Sequence, residues 1–503
     1  MNTRRRVTLQ AGSRSGEWWR SLREVALRLD VSRCPSKVCI GAIVAVLCSS
    51  APASAQEWLK DRQASEGPGV LVGDFELHPG IGIQGGYDSN YFLRTSRTGT
   101  FTNGGVEGTP ELTVTPSISL STRGAQRREA PSAGDPLPSV LFRATASGTY
   151  REFFGQLTPE QRNANVDAAA NLSILPGRPW GALVNATYDR VIQPSVFGNP
   201  DLSFNSDNVG GSADIVMQPG SGTLDWRLGA QISATLFEES GGQPYDNYSI
   251  GAHTSGRWKF RPKTALVYDF NISASSYTNS PAGGGVTTAS TTAAATSITP
   301  LYGSTPLRTH LGITGLFTPR VAFTALAGYG STFFSPASSK EVPQFDSVIA
   351  LAELKFYLAA PPGDSGPGLV SLSQSNIAVG YNRDFQASYL SNYFGTDRGY
   401  LRFGYFFAGR AQISLEAGGA AIEYPEIFLP NGTHSPFTDF RVDATLFSEY
   451  RFTNSFGLNA TVRYTTNISN ASLDIAPKSS GLDQEFAMQW QRFEAYLGVR
   501  LFL

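Results

Sequence analysis

Between residues 439 and 452 the chain alternates with a period of two. Asp439, Arg441, Asp443, Thr445, Glu449 and Arg451 share one parity; Phe440, Val442, Ala444, Leu446, Tyr450 and Phe452 share the other. A period of two puts successive side chains on opposite faces of a strand. After Thr453-Asn454-Ser455 the pattern resumes, with Phe456, Leu458, Ala460, Val462 and Tyr464 against Asn459, Thr461, Arg463 and Thr465. It returns at the end of the chain, where Ala495, Leu497, Val499, Leu501 and Leu503 oppose Arg492, Glu494, Tyr496 and Arg500. These strands are long, and their polar face carries both signs of charge. That combination suits a wall between lipid and a wet interior; a soluble sandwich would bury one face of each sheet in an oily middle.

The same parity recurs upstream, in residues 140–150, 224–236, 266–274, 348–358 and 411–423. In 224–236, for example, Leu224, Trp226, Leu228, Ile232, Ala234 and Leu236 oppose Asp225, Arg227, Gln231, Ser233 and Thr235. The pattern predicts an all-β, transmembrane, antiparallel up-and-down β-barrel of about 18 strands. Short turns such as Pro176-Gly177-Arg178, Arg261-Pro262-Lys263 and Thr318-Pro319-Arg320 alternate with longer loops, including 279–305 and 467–484. Gly, Pro and Asn supply the tight-turn chemistry. Turns on one rim and loops on the other form the outer-membrane arrangement, and an even strand count puts both termini on the turn side, in the periplasm. The connections 122–138 and 360–366 are longer than that rule allows. Aromatic clusters near strand ends (Tyr87, Tyr91 and Phe92; Phe153 and Phe154; Trp258 and Phe260; Phe333 and Phe334; 405–407) read as two interfacial girdles.

Residues 1–55 read as an export leader, with Arg4, Arg5, Arg6, Arg14 and Arg20 ahead of an apolar run at 38–47. Cleavage is expected between Ala55 and Gln56, after the small-residue stretch Ala53-Ser54-Ala55. Residues 56–74 would be a short periplasmic segment with one helix near 57–63, and 75–503 the barrel in the outer membrane of a Gram-negative bacterium. A span so short ahead of the first strand cannot form a plug for the lumen. Mean hydropathy is −0.16, which conceals a barrel because each strand contributes apolar residues only alternately. All three cysteines, Cys34, Cys39 and Cys48, lie in the leader, so the exported chain would form no disulfide. The leader holds nine of the 40 Lys+Arg and three of the 41 Asp+Glu, leaving residues 56–503 at net −7 and arguing against a nucleic-acid partner.

Chemistry is sparse. The four histidines, His78, His253, His310 and His434, show no metal-ligand spacing, and no cofactor motif is present. A membrane lipase would group Ser, His and an acid or amide on the lipid side; parity places His253 and His310 inward, so no enzyme is expected. The remaining candidates are inward-facing charges: Arg143, Arg227, Asp269, Glu353, Lys355, Arg402, Glu416, Arg441, Asp443, Glu449, Arg451, Arg463 and Arg500. They serve either as a self-paired ladder holding the wall in register or as the lining of a hydrated path.

The first strand and its loop, residues 79–92, contain Tyr87-Asp88-Ser89-Asn90-Tyr91. This aromatic-Asp-polar-Asn-aromatic stretch resembles the opening of a broad family of Gram-negative outer-membrane β-barrel porins. Some members of that family are associated with secretion of exopolysaccharide, beside a separate periplasmic export protein. The resemblance implies a porin-like transport barrel, folded by the barrel-assembly machinery, that exports a polysaccharide or another polar solute. Its terminal Leu503 departs from the commoner aromatic. A nutrient-uptake diffusion porin and a closed structural or adhesive barrel are the alternatives.

Overall fold

The computed structural model describes residues 69–95, 108–122, 139–155, 162–192, 205–238, 246–278, 302–334, 343–358, 375–388, 391–407, 410–429, 432–474 and 485–503. The leader with Ala55 and Gln56, the helix expected at 57–63 and residues 279–301 lie outside that set.

A short strand β1 (Val70–Val72) leads by a tight turn into β2 (Phe75–Asp88). Gly73 takes a positive φ of 62° there, a conformation that glycine adopts without strain. The wall continues through β3 (Thr109–Thr122), β4 (Val140–Phe153), β5 (Asn163–Ile174), β6 (Trp180–Val191) and β7 (Ser206–Met217). Next come β8 (Leu224–Phe237), β9 (Asn247–Arg261), β10 (Thr264–Tyr277), β11 (Ser304–Thr318) and β12 (Val321–Phe334). Then follow β13 (Asp346–Tyr357), β14 (Asn376–Ser388), β15 (Asn392–Phe407) and β16 (Ala411–Tyr424). The hairpin β17 (Ile427–Leu429) and β18 (Gly432–His434) interrupts before β19 (Phe437–Thr453) and β20 (Phe456–Ile468). A second hairpin, β21 (Ser472–Asp474) and β22 (Glu485–Ala487), precedes the last strand β23 (Trp490–Phe502).

Each wall strand pairs antiparallel with the next, and β23 pairs back onto β2 from Phe502↔Gly80 to Glu494↔Asp88. Leaving out β1 and the two hairpins, 18 strands close the ring. Closure leaves no free edge, which a chain in lipid requires because hydrocarbon supplies no hydrogen-bond partners. Wall strands run from 12 to 17 residues. That exceeds the ~9–11 a tilted strand needs to cross a bilayer, so strand ends project beyond it. The rim carrying Val72 and Phe502 has the short turns, among them a single helical turn at Pro219–Gly222. On that rim, Thr122 to Val140 and Tyr357 to Asn376 are the long connections.

Large apolar side chains lie on the outside, as the parity required: Ile83, Leu112, Val184, Leu228, Ile232, Ile250, Leu311, Val379, Leu401 and Leu497 are all exposed. Exposed Trp226, Trp258, Phe260, Phe317 and Phe356 ring the turn end of this apolar surface; Tyr87, Tyr150, Tyr248, Tyr329 and Tyr381 ring the loop end. Tyr248 and Trp258 stand ten positions apart in β9. At ~3.3 Å per residue and a tilt of ~40° that spans about 25 Å, the height of a barrel's apolar band. Three of the tyrosine hydroxyls donate to carboxylates nearer the loop rim: Tyr150 to Glu152, Tyr329 to Asp346 and Tyr381 to Asp397. These acids mark where lipid gives way to water.

Three of the aromatics expected in the girdles are not there. Tyr91, Phe153 and Phe334 are buried. Tyr91 packs against Phe153 with ring centroids 4.6 Å apart. The reason is the period itself: of two neighbours in a strand only one reaches lipid, so Phe154 and Phe333 are exposed while Phe153 and Phe334 turn in.

Candidate functional site

In a closed wall, side chains converge on the concave face and splay on the convex one. Side chains from strands that are not neighbours therefore meet inside. The polar face makes such contacts from mid-wall down toward the turn rim. Arg398 of β15 reaches Asp443 of β19 at 2.7 Å across β16. Tyr400 of β15 donates to Glu353 of β13 at 2.8 Å across β14. Arg500 of β23 reaches Glu449 of β19 at 2.8 Å across β20.

These contacts build a charged arc from β13 to β23. Arg398 holds Glu416 (3.1 Å) as well as Asp443. Arg402 bonds Glu416 (3.2 Å) and lies 3.5 Å from Glu353, which also pairs with Lys355 at 3.3 Å. Tyr400 lies flat against the wall because Gly380 sits beside it on β14; a Cβ there would fall 2.2 Å from the ring. Arg402 stacks over that ring at 4.4 Å. The structure thus joins Glu353, Lys355, Arg402, Glu416 and Asp443 of the sequence set and adds Arg398 and Tyr400, which sequence reasoning missed. Glu449, Arg451 and Arg500 form a second cluster: Arg451 donates to Glu449 at 2.7 Å, and both arginines face the Phe502 ring. Partly hydrated pairs like those around Arg402 contribute at most about 1 kcal/mol each, so their main effect is to fix side-chain positions.

The remaining candidates stay apart. Arg227 and Arg257 flank Asp225 at 3.8 and 3.7 Å. Asp269 stands opposite His310 in the ladder. Arg143 lies in β4 between Ser121 and Asn171. Arg441 packs over Trp490 at 5.7 Å. Arg463 makes no ion pair among the described residues.

The arc from β4 to β10 has another character, with amides and hydroxyls predominating. Asn185 donates to Ser212 (3.0 Å), Thr235 to Asn208 (2.8 Å) and Asn208 to Asp189 (3.1 Å). Among its described residues a mid-wall hydrogen bond joins His253 of β9 to Asp214 of β7 at 2.5 Å. Gly229 lies between them, and a Cβ there would collide with Asp214. The alternation of Asn208, Ser212 and Asp214 in β7 was the available signal for this pair. Between the arcs a cavity of about 810 Å³ carries Asp167 and Asp189 on one wall and Arg463 and Arg500 on the other.

The resemblance motif has a structural task. Asp88 is wholly buried and accepts from Arg492 at 2.5 and 3.0 Å and from the Asn90 backbone at 2.9 Å. The Asn90 side chain donates to the carbonyls of Arg94 and Gln491, both at 2.8 Å, and accepts from the Arg94 backbone. The Phe493 backbone donates to Ser89. The motif clasps β2 to β23 where the ring closes.

An apolar exterior, aromatic girdles and a polar interior define a membrane-spanning, closed antiparallel β-barrel. No family model and no curated protein sequence matches the chain. Among solved structures it is similar to the FrpB iron transporter from Neisseria meningitidis (F3-3 variant), at 10% identity and TM-score 0.42 over 86% of this chain and 82% of that one. It is also similar to the outer membrane protein OpdK from Pseudomonas aeruginosa, at 11% identity and TM-score 0.41 over 85% and 99% of the two chains. For OccK5 (OpdH) from Pseudomonas aeruginosa the values are 11%, 0.41, 85% and 98%.

Proposed function

We propose that this barrel is a conduit for polar solutes across a Gram-negative outer membrane, with the loop rim outward and both termini in the periplasm. One observation carries the reading: the concave face is polar around the ring, yet its charges largely neutralise one another within the wall. Among the described residues Arg398, Arg402, Glu353, Glu416 and Asp443 satisfy one another, and the β4–β10 arc offers amides and hydroxyls. Such a lining favours neutral, hydroxyl-rich solutes over strongly charged ones, because it supplies many hydrogen bonds and mixes both signs of charge. The narrower form is export of a secreted polysaccharide, with a separate periplasmic export protein feeding the turn rim and the barrel-assembly machinery inserting the wall.

The test has two parts. Reconstituted in a planar bilayer, the protein should conduct ions, and a sealed membrane would leave only the closed structural barrel. Deleting the gene should abolish surface polysaccharide. Unchanged surface polysaccharide, with conductance that a small sugar blocks, would replace export by nutrient uptake.

A further inference from the structure

The wall has one seam that opens toward the loop rim. β13 and β14 pair from Tyr357↔Asn376 up to Ala350↔Arg383 and no further. Both strands continue: Asp346 to Ile349 remain paired with β12, and Asp384 to Ser388 with β15. At β5–β6 and β15–β16 one of the two strands runs on by a single residue, Val191 or Tyr424; at β13–β14 the strands run on by four and five residues. The slot begins beside Tyr329 and Tyr381, at the lipid–water boundary, and runs from there to the strand ends.

Phe385 fills the slot. By parity it belongs outside with Val379 and Tyr381, yet it is 1% exposed. Its ring passes between the two strands onto the concave side, against Ile349 and Phe345 (centroids 4.6 Å apart) and under Arg308 of β11 at 4.0 Å. Gly330 makes room; a Cβ there would lie 2.8 Å from the ring. Two arginines bind carbonyls that have lost their ladder partners. From the lumen, Arg308 donates to Phe385 O at 2.5 Å while bound to Asp384. From outside, Arg383 donates to Val348 O at 3.1 Å while bound to Asp397.

We propose that this slot is a side port between the lumen and the outer leaflet, closed by the Phe385 ring, and that it admits amphiphiles with an anionic head and an alkyl tail. Rotation of one ring opens an apolar passage bounded by Phe345 and Ile349, both lips keeping their outer ladders. The rotation and the parting of the lips free the two guanidinium groups from their carbonyls, and a carboxylate or phosphate head replaces those acceptors with a charge-assisted bond.

The test uses the full chain with Cys34, Cys39 and Cys48 changed to Ser, reconstituted in a planar bilayer with dodecanoate as probe. Dodecanoate should block the current, and dodecyltrimethylammonium should not. Bridging the lips through Ser347→Cys and Gln386→Cys with a bis-maleimide should leave the current intact and abolish the block. A block that persists after bridging, or none in the unbridged protein, overturns the proposal. If the barrel carries no current, the conduit reading fails, and a second measurement still decides on the port. Dodecylmaleimide dissolved in the lipid should alkylate Ile349→Cys several-fold faster than Ala265→Cys, a site equally buried but remote from the slot. Equal rates overturn it.

Discussion

Two seams of the same wall are held in opposite ways. At β2–β23 the first and last wall strands meet, the ladder runs unbroken from Gly80 to Asp88, and a buried clasp locks its upper end. At β13–β14 the ladder stops early and one aromatic ring does the closing. Ladder closure is cooperative, since each backbone pair positions the next. A side-chain wedge can leave by a single rotation, with the strands on either side still paired. The contrast implies that ring closure bears the barrel's stability while the slot is a low-energy opening in a stable cylinder.

Four substitutions bear on that contrast. Asp88→Ala leaves the Arg492 guanidinium with Glu494 alone, at 3.3 Å, in a site built for two carboxylates. It should cost about 3–5 kcal/mol of unfolding free energy, as removing one member of a buried pair does. Urea unfolding in lipid vesicles measures this, and a loss no larger than for a surface pair would mean the clasp is ornamental. Asn90→Ala leaves the carbonyls of Arg94 and Gln491 unsatisfied and should cost about 1–3 kcal/mol by the same assay. Phe385→Ala should lower global stability less than Asn90→Ala does, because the loss is capped by the energy of opening the slot. Its effect should appear in amide exchange, faster at 346–349 and 384–388 and unchanged in β2 and β23; faster exchange around the whole ring would make the two seams equivalent. Arg402→Ala removes an exposed contact to Glu353 across the fully paired part of the β13–β14 seam and should change stability by under about 1 kcal/mol. Removing one positive charge from the charged arc should shift the reversal potential in a salt gradient toward cation selectivity, and an unmoved potential would place Arg402 off the ion path.

The alternation in 439–452 was enough to read β19, its neighbours, and the lipid and lumen faces. The rim assignments followed from turn chemistry. What stayed hidden depends on pairs far apart in sequence. Asp88 and Asn90 were visible as a motif, but their partners Arg492 and Gln491 lie about four hundred residues away, and no local pattern links them. Arg398 and Tyr400 have inward parity like Arg402, yet only wall curvature brings them to Asp443 and Glu353. Phe385 misleads outright, because parity describes a continuous ladder and the ladder ends just before it. Tyr91, Phe153 and Phe334 mislead more mildly, for aromatic clusters at a strand end contain residues of both faces.

β1 has a consequence for how the cylinder is completed. Val70 pairs with Leu77, and the backbone N–H of Leu503 donates to Pro79 O, on the same side of β2. β1 therefore takes up the path of β23 almost where β23 stops, running in the same direction. One stave of the cylinder is assembled from two segments more than four hundred residues apart in sequence, with a nick between Leu503 and Gly69. Splicing those residues together and cutting the chain at Arg261-Pro262-Lys263 should yield a circular permutant with the same wall.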